Sequence, residues 1–227
     1  MSNERAFKIL INRKKRTKKK QADYFDKDYW ETGKYTLGYE TLNVIRPEMT
    51  MLANALEEYS APEPILVLGC GKGYLKDLLS DKDLEVIGED ISRWVLGTHK
   101  DKGNIFRGDA EKLPVKRNSI GTIISLDLLD HLLKPQDNIR EMNMILRSKG
   151  WVFLKVNNVF DIGDTTHVQG FTEAGWVGLL ELYGFKLIQR LTPEAITTLF
   201  LTKVTTVDYY LDEIIEEQKI YYRKRRE

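Results

Sequence analysis

The sequence is poor in cysteine, since Cys70 is the single one among 227 residues. One thiol can build neither a disulfide framework nor a cysteine-based zinc site. We predict no metal centre, and we expect a reducing, cytoplasmic setting.

Long apolar runs are also missing. No stretch approaches the roughly 20 apolar residues of a membrane span, and the basic N-terminal region lacks the apolar core of a signal peptide. We therefore expect a soluble protein without a membrane span. A chain of 227 residues with 42% hydrophobic residues can bury the core of one ordinary domain.

Charge is distributed unevenly, although the formal net charge is only +1. Residues 1–22 hold nine Lys or Arg against one Glu, and residues 219–227 hold five against one. The body between them holds 21 basic and 32 acidic residues. We predict a disordered basic arm over 1–22. Because such an arm attracts phosphate backbones, nucleic acid is a possible partner.

Strand-like and helical patterns alternate along the body. This alternation predicts an α/β fold with a Rossmann-like, doubly wound, mostly parallel sheet of seven strands and helices on both faces. Only a short turn-like stretch precedes the last strand, so we expect the last two strands to pair antiparallel at the edge of the sheet. The predicted strands are Ile65 to Leu68, Glu85 to Gly88, Asn104 to Phe106, Ile120 to Leu126, Trp151 to Val156, Phe185 to Arg190 and Ile196 to Val204. The predicted helices are Thr41 to Tyr59, Tyr74 to Ser80, Arg93 to Lys100, Gln136 to Arg147 and Glu173 to Tyr183.

We expect one domain over residues 23–227. It consists of an aromatic-rich N-terminal cap over 23–60, a core sheet over 61–205 and a C-terminal helix over 206–227. The sequence does not indicate an oligomeric state.

Three alternating glycines follow the first strand of the body, in the run ILVLGCGKGYL at 65–75. Glycines between a strand and a helix expose backbone amides and let a ligand approach closely. The spacing GxGxG matches neither the P-loop nor the dinucleotide fingerprint, which would need glycine where Tyr74 stands. The next strand ends in carboxylates, and Asp90 stands where an acid can accept hydrogen bonds from ribose hydroxyls.

These segments resemble the class I S-adenosylmethionine-dependent methyltransferases, and among them the group called methyltransferase type 11. The resemblance covers about residues 63–190. It includes, in order, ILVLGCGKGYL, VIGEDIS at 86–92, GDAEKLP at 108–114, SIGTIISLDLLDHL at 119–132, EMNMILRSKGWVFLKV at 141–156, and the passage from Thr166-His167-Val168 to Tyr183-Gly184-Phe185.

The resemblance implies S-adenosylmethionine as cofactor and S-adenosylhomocysteine as product. It assigns cofactor contacts to Gly69, Cys70, Gly71 and Gly73 in the glycine loop, to Asp90 and Ile91 after the second strand, to Asp109 and Ala110 beside the adenine, and to Leu126 beneath the methyl group. The sequence departs from the family where Val67 replaces an acid and where Gly121 stands in place of a frequent Asp.

Methyl transfer from a sulfonium needs alignment and, for some acceptors, removal of a proton. The candidate bases are Asp127, Asp130 and His131, just after the fourth strand, and His167. We predict that His99, beside Lys100 on a charged helix, is exposed.

The methyl acceptor is open. The fourth strand is not followed by an NPPY or DPPY tetrapeptide, which disfavours base amines of DNA, and Cys70 is committed to the glycine loop. Ribose 2′-hydroxyl methyltransferases use a Lys-Asp-Lys-Glu set of residues, and Asp127, Lys155 and Glu173 could imitate three of its members. Lys155 is more simply interpreted as extending from a strand end towards solvent.

Three functions follow from these patterns. A small molecule, or a sugar or lipid headgroup, is the favoured acceptor. The alternatives are an RNA or protein methyltransferase recruited by the basic arms, and a non-catalytic S-adenosylmethionine-binding or scaffold protein on the same fold.

Overall fold

The structure is a computed structural model and describes residues 22–25, 27–32, 47–99, 103–157, 166–190 and 196–203. The predicted basic arm lies outside the described residues, apart from Ala22, and so does the predicted C-terminal helix over 206–227. The helices are α1 (Lys27–Thr32), α2 (Pro47–Glu58), α3 (Tyr74–Ser80), α4 (Arg93–Gly97), α5 (Pro135–Ile145) and α6 (Glu173–Leu182), and a 3₁₀ turn covers Leu129–His131. The strands are β1 (Ile65–Leu68), β2 (Val86–Asp90), β3 (Ile105–Arg107), β4 (Ile120–Leu126), β5 (Leu146–Asn157), β6 (Phe185–Arg190) and β7 (Ile196–Lys203).

The strands form one sheet in the order β3-β2-β1-β4-β5-β7-β6. The first five strands in this order run parallel to one another, while β7 runs antiparallel to both β5 and β6. This architecture confirms the predicted mostly parallel α/β sheet with an antiparallel last strand. The predicted antiparallel pair does lie at one edge. Within it, β7 lies between β5 and β6, so β6 is the edge strand.

Both faces of the sheet are covered, as the continuous apolar sequence of β1 requires. Leu66 and Leu68 face a core built with α5 and α6. Ile65 and Val67 face the opposite core, which is built with α2 and α3. Successive side chains of a strand point to opposite faces, so one four-residue strand connects the two cores.

Several element ends differ from those predicted. β2 continues to Asp90 because Gly88 to Asp90 pair with β3. α5 ends at Ile145, since Leu146 already pairs with Ile120 of β4. Lys149 then adopts a left-handed φ of 60° before regular pairing with β4 resumes at Trp151. Apolar spacing alone could not locate this break.

The arrangement brings three loops together. β1, β2 and β4 are neighbouring parallel strands, and Leu68 lies beside both Glu89 and Ser125. Their carboxyl ends therefore open at the same edge, where ligands of open α/β sheets bind. In the described part of the chain, no helix combines the length and apolar character that a membrane crossing needs.

Candidate functional site

The glycine loop turns the chain from β1 into α3. Gly69, Gly71 and Gly73 have φ angles of 63°, 53° and 82°. These left-handed values strain residues that carry a Cβ, so the loop geometry accounts for all three glycines. The Gly73 amide donates to the Cys70 carbonyl at 2.9 Å, which closes the turn immediately before Tyr74 begins the helix.

Asp90 holds this loop in place. Its Oδ2 accepts a hydrogen bond from the Gly71 amide at 2.9 Å, and its Oδ1 accepts one from the Ser92 amide at 2.8 Å. The Asp90 side chain is buried, and burial raises its pKa. Each carboxylate oxygen can accept a second hydrogen bond, so these contacts leave acceptor capacity for a ligand.

His99 lies beneath the glycine loop, and the prediction that it is exposed is wrong. Its Nε2 lies 2.9 Å from the Gly71 carbonyl oxygen, and the residue is only 7% exposed. Helix α4 ends at Gly97, so His99 is not on the helix and folds back under the loop. A Cβ on Gly73 would lie 2.3 Å from His99 Cε1, which shows that the missing side chain provides the space for the imidazole.

The surroundings of the Cys70 thiol keep it protonated and therefore unreactive as a nucleophile. Burial raises its pKa, and the neighbouring Asp90 raises it further. A Cβ on Gly88 would meet Cys70 Sγ at 3.0 Å, so the thiol packs against the backbone of β2. Cys70 thus serves the packing of the loop.

An open pocket of about 630 Å³ lies over the carboxyl ends of β1, β2 and β4. Of the residues predicted from the sequence, it is lined by Gly69, Asp90, Ile91, Asp109, Ala110, Asp127 and His131. Cys70, Gly71, Gly73, Leu126 and His167 are not part of this lining. The pocket is also lined by six residues that the sequence did not single out individually, although the first three belong to the 23–39 segment that was expected to build the acceptor pocket: Phe25, Tyr29, Trp30, Glu89, Leu128 and Leu132.

Three aromatic side chains form one wall of the pocket. The rings of Phe25 and Tyr29 lie 4.8 Å apart, and those of Tyr29 and Trp30 lie 5.3 Å apart. The Trp30 ring covers Gly71, because a Cβ there would be 2.8 Å from the ring. The aromatic composition of 23–39 was the available signal, and the lack of periodicity in that segment concealed which rings face the pocket.

Glu89 is a second buried carboxylate beside Asp90. Its Oε2 accepts a hydrogen bond from the Gly69 amide at 3.4 Å, while Oε1 has no hydrogen-bond partner among the described residues. Burial raises the pKa of Glu89 to about 8, with the nearby charges of Asp90 and then Asp109 adding to it. A buried acceptor without a partner is costly unless a ligand or water fills it.

Asp127 follows β4 at the far end of the pocket, with a left-handed φ of 56°. Its Oδ2 lies 3.3 Å from Lys155 Nζ. Lys155 is only 7% exposed, so the interpretation that it extends towards solvent is wrong. The ion pair keeps the ammonium group inside, because a buried charge needs a partner.

A compact polar cluster lies behind Asp127. His131 lines the pocket, and its ring centroid lies 4.5 Å from that of His167. His167 Nε2 lies 3.2 Å from Asp130 Oδ2, and Thr166 Oγ1 lies 3.0 Å from His131 Nδ1. The structure thus joins three of the predicted candidate bases, Asp130, His131 and His167, and it adds Thr166, which the sequence did not single out for chemistry.

The two departures from the family pattern have different surroundings. Val67 is buried in the core on the α2 and α3 side and does not line the pocket. Gly121 is required by close packing, since a Cβ would lie 2.4 Å from the Pro62 carbonyl oxygen. The absence of an acid at Gly121 therefore follows from the backbone contact.

Known proteins resemble this chain in sequence and in fold. Residues 66–154 match the family model described as "Methyltransferase domain". A protein of Mycolicibacterium smegmatis, named "Probable S-adenosylmethionine-dependent methyltransferase", is 26% identical over 137 residues, or 56% of this chain and 53% of its own. The chain thus spans about half the length of this curated relative.

Solved structures agree at the level of the fold. The PH0226 protein of Pyrococcus horikoshii OT3 superposes with a TM-score of 0.62 and 18% identity, covering 79% of this chain and 99% of its own. The (4+2)-cyclase SpnF gives a TM-score of 0.56 and 15% identity, covering 69% and 80%. The fold therefore hosts more than one kind of chemistry.

The family match and the curated relative confirm the resemblance to class I methyltransferases. Residues 66–154 match a methyltransferase domain, and the curated relative is named as a probable S-adenosylmethionine-dependent methyltransferase.

Proposed function

We propose that this chain transfers a methyl group from S-adenosylmethionine to a small acceptor. One observation carries the proposal: the glycine loop, two buried carboxylates, Asp109 with Ala110, and an aromatic wall converge on one pocket at the carboxyl edge of the sheet. The family match over 66–154 supports the same chemistry.

The pocket suits the parts of this cofactor. We assign the ribose hydroxyls to Asp90 together with Glu89, whose Oε1 is a buried acceptor facing the pocket. We assign the adenine to Asp109 and Ala110. The methionine end then packs on Gly69, the loop glycine that lines the pocket. Leu128 lines the floor, with Leu126 packed in the apolar core behind it.

S-adenosylmethionine supplies a methyl group that is already activated on a sulfonium cation. The chain has to hold that positive centre and to exclude water from it. Phe25, Tyr29 and Trp30 offer ring faces that attract a cation. The Asp90 carboxylate lines the same pocket and would attract the charged cofactor, whereas Glu89, with its pKa raised to about 8, is mostly protonated near neutral pH.

Acceptors that lose a proton need a base near the end of β4. Asp127 and His131 line the pocket there, so they are the candidates for contact with the acceptor. His167 stands behind His131, where its contact with Asp130 orients the pair. We assign proton removal to His131 and positioning to His167.

A small molecule or a sugar or lipid headgroup is the favoured acceptor, because the candidate bases Asp127 and His131 line the same pocket as the aromatic wall. The half-buried Asp127–Lys155 pair, at 3.3 Å, favours a ribose hydroxyl of RNA as second candidate. The third reading, a protein that binds the cofactor without transferring methyl, draws on the cyclase that shares the fold.

Two measurements on the full chain test the proposal. Isothermal titration should detect stoichiometric binding of S-adenosylmethionine and of S-adenosylhomocysteine. Incubation with acceptor pools should then release S-adenosylhomocysteine when small hydroxyl or amine compounds are supplied, and less with RNA. Failure of both ligands to bind would refute the proposal. Binding without turnover on either pool would favour the non-catalytic reading.

A further inference from the structure

Asp130, His131 and His167 form a group of metal-ligand type at the acceptor end of the pocket. All three are buried, and one ligand atom from each lies within 4.8 Å of the others. Asp130 and His131 come from the 3₁₀ turn after β4, whereas His167 comes from the segment before α6. No short sequence motif links them, which is why the sequence predicted no metal centre.

The distances fit a cation after a small adjustment. Metal bonds to imidazole nitrogen and carboxylate oxygen are about 2.1 Å long, so neighbouring ligand atoms lie about 3.0 to 3.4 Å apart. His167 Nε2 and Asp130 Oδ2 are already 3.2 Å apart. All the ligand atoms lie within 4.8 Å of one another, so an ion would draw the more distant pairs together by less than about 2 Å.

Hydrogen bonds join the 3₁₀ turn to the segment before α6. The Asp130 carbonyl oxygen accepts from the Val168 amide at 2.8 Å and from the Gln169 amide at 3.0 Å. Gln169 Nε2 also donates to the Leu133 carbonyl oxygen at 3.1 Å. The donor residues are therefore brought together by the backbone, independently of any ion.

The contact between Thr166 and the ring of His131 is also typical of a metal site. Thr166 Oγ1 lies 3.0 Å from Nδ1 of His131, which leaves Nε2 of that ring for a cation. Ligating histidines usually bond through their second nitrogen to a protein group, and this contact fixes the ring orientation.

We propose that Asp130, His131 and His167 bind a divalent transition metal ion such as Mn²⁺, Fe²⁺, Co²⁺ or Zn²⁺. Two imidazoles and one carboxylate suit these ions better than Mg²⁺ or Ca²⁺, which prefer oxygen ligands throughout. Three protein ligands leave coordination positions open.

Because His131 and Asp127 line the pocket, those positions face the acceptor end. A hydroxyl oxygen of the acceptor would complete the coordination and would lose its proton more readily on the metal. With the metal bound, His131 is a ligand, so Asp127 replaces it as the base that takes this proton. This assignment of a hydroxyl acceptor rests on the proposed function, whereas the metal site does not.

Cobalt titration of the metal-free, untagged full chain tests the site. We expect one Co²⁺ per chain, with visible d–d absorption bands and displacement by Zn²⁺. Asp130→Asn and His167→Gln should each weaken Co²⁺ binding at least about 30-fold. His99→Gln serves as the matched control, since His99 lies under the glycine loop, and it should leave the Co²⁺ affinity unchanged.

Two results would overturn the metal site: no stoichiometric Co²⁺ band, or a band that both variants preserve. Either would mean that the cluster is an Asp130–His167 ion pair beside His131. Circular dichroism spectra confirm that the variants are folded. Titration with S-adenosylmethionine in the absence of metal separates the two proposals, because loss of the metal site leaves cofactor binding intact.

Discussion

Glu89 places a titratable group in the apolar interior beside another acid. Its pKa is raised to about 8, so the folded state holds a proton there that the unfolded state releases near pH 4.5. Stability from this protonated group is fully present below the unfolded pKa and is lost as the pH rises towards 8 and above. Asp90, whose pKa is also raised, acts in the same direction.

Glu89→Gln should therefore stabilise the cofactor-free protein at alkaline pH. We expect a gain on the order of 2 kcal/mol at pH 9, or about 4 to 8 °C in Tm, that disappears near pH 4.5. Thermal unfolding followed by circular dichroism at pH 5, 7 and 9 measures it. Glu85→Gln, at the exposed residue before β2, is the control and should shift nothing. A pH-independent difference would contradict the assigned ionisation.

Gly73 shows a steric requirement at a single residue. Gly73→Ala combines a left-handed φ of 82° with a Cβ only 2.3 Å from the His99 ring. We expect a loss of about 2 to 4 kcal/mol in the free energy of unfolding by urea.

Removing the obstructing ring should recover part of that loss. In the double variant Gly73→Ala with His99→Ala, only the backbone strain of about 1 to 2 kcal/mol and the lost Gly71 contact remain. Gly178→Ala is the matched control: its Cβ would meet nothing within 4 Å, and in the interior of α6 it should stabilise by about 0.5 to 1 kcal/mol. Equal losses with and without His99 would contradict the steric explanation.

At the scale of elements, α1 and the residues before it form a cover for the pocket. The Trp30 ring lies over Gly71, and its Nε1 donates to the Phe25 carbonyl oxygen at 3.1 Å, which ties the two aromatics together. Under the proposed function, this cover faces a sulfonium cation in the cofactor and a neutral sulfur in the product.

Trp30→Leu should consequently discriminate between the two ligands. We expect affinity for S-adenosylmethionine to fall about 3-fold to 10-fold more than affinity for S-adenosylhomocysteine, since a cation–π contact is lost with the first alone. Isothermal titration measures both. Trp94→Leu, a tryptophan outside the pocket lining, should change neither affinity. A uniform loss would show that Trp30 acts only through packing.

The elements of the sheet were predictable because burial leaves a periodic signal. β1, β4, β6 and α3 match the predicted ranges, since apolar alternation and flanking glycines determine them. The position of β7 between β5 and β6 was not predictable. Strand order depends on pairing between residues distant in sequence, such as Phe153 with Phe200.

The site was predictable where it follows a strand end and obscure where it depends on tertiary contacts. Asp90, Asp109 and Asp127 each follow a strand pattern, so their common location could be inferred. Glu89 precedes Asp90 by one residue and looks like an ordinary strand residue until its burial is known. The role of His99 was likewise hidden from the sequence, because it depends on the space that Gly73 leaves for the imidazole ring.

At the scale of the whole molecule, charge is separated between the body and the ends of the chain. The run RKKRTKKK at 13–20 holds seven basic residues, while residues 23–218 carry 21 basic against 32 acidic residues. An acidic body repels polyanions, so any nucleic acid affinity should reside in the basic ends.

Replacing the seven basic residues of 13–20 by glutamine in the full chain tests this separation. For the unaltered chain, we expect single-stranded RNA binding to weaken steeply with salt, because each neutralised phosphate releases counterions. With about five phosphate contacts, affinity should fall roughly 100-fold between 50 and 200 mM salt. The substituted chain should lose most of the RNA affinity and of the salt dependence, measured by fluorescence anisotropy, and should bind S-adenosylmethionine as before. RNA binding that survives the substitution would move the contact to the body, where the half-buried Asp127–Lys155 pair would become the residues to vary next.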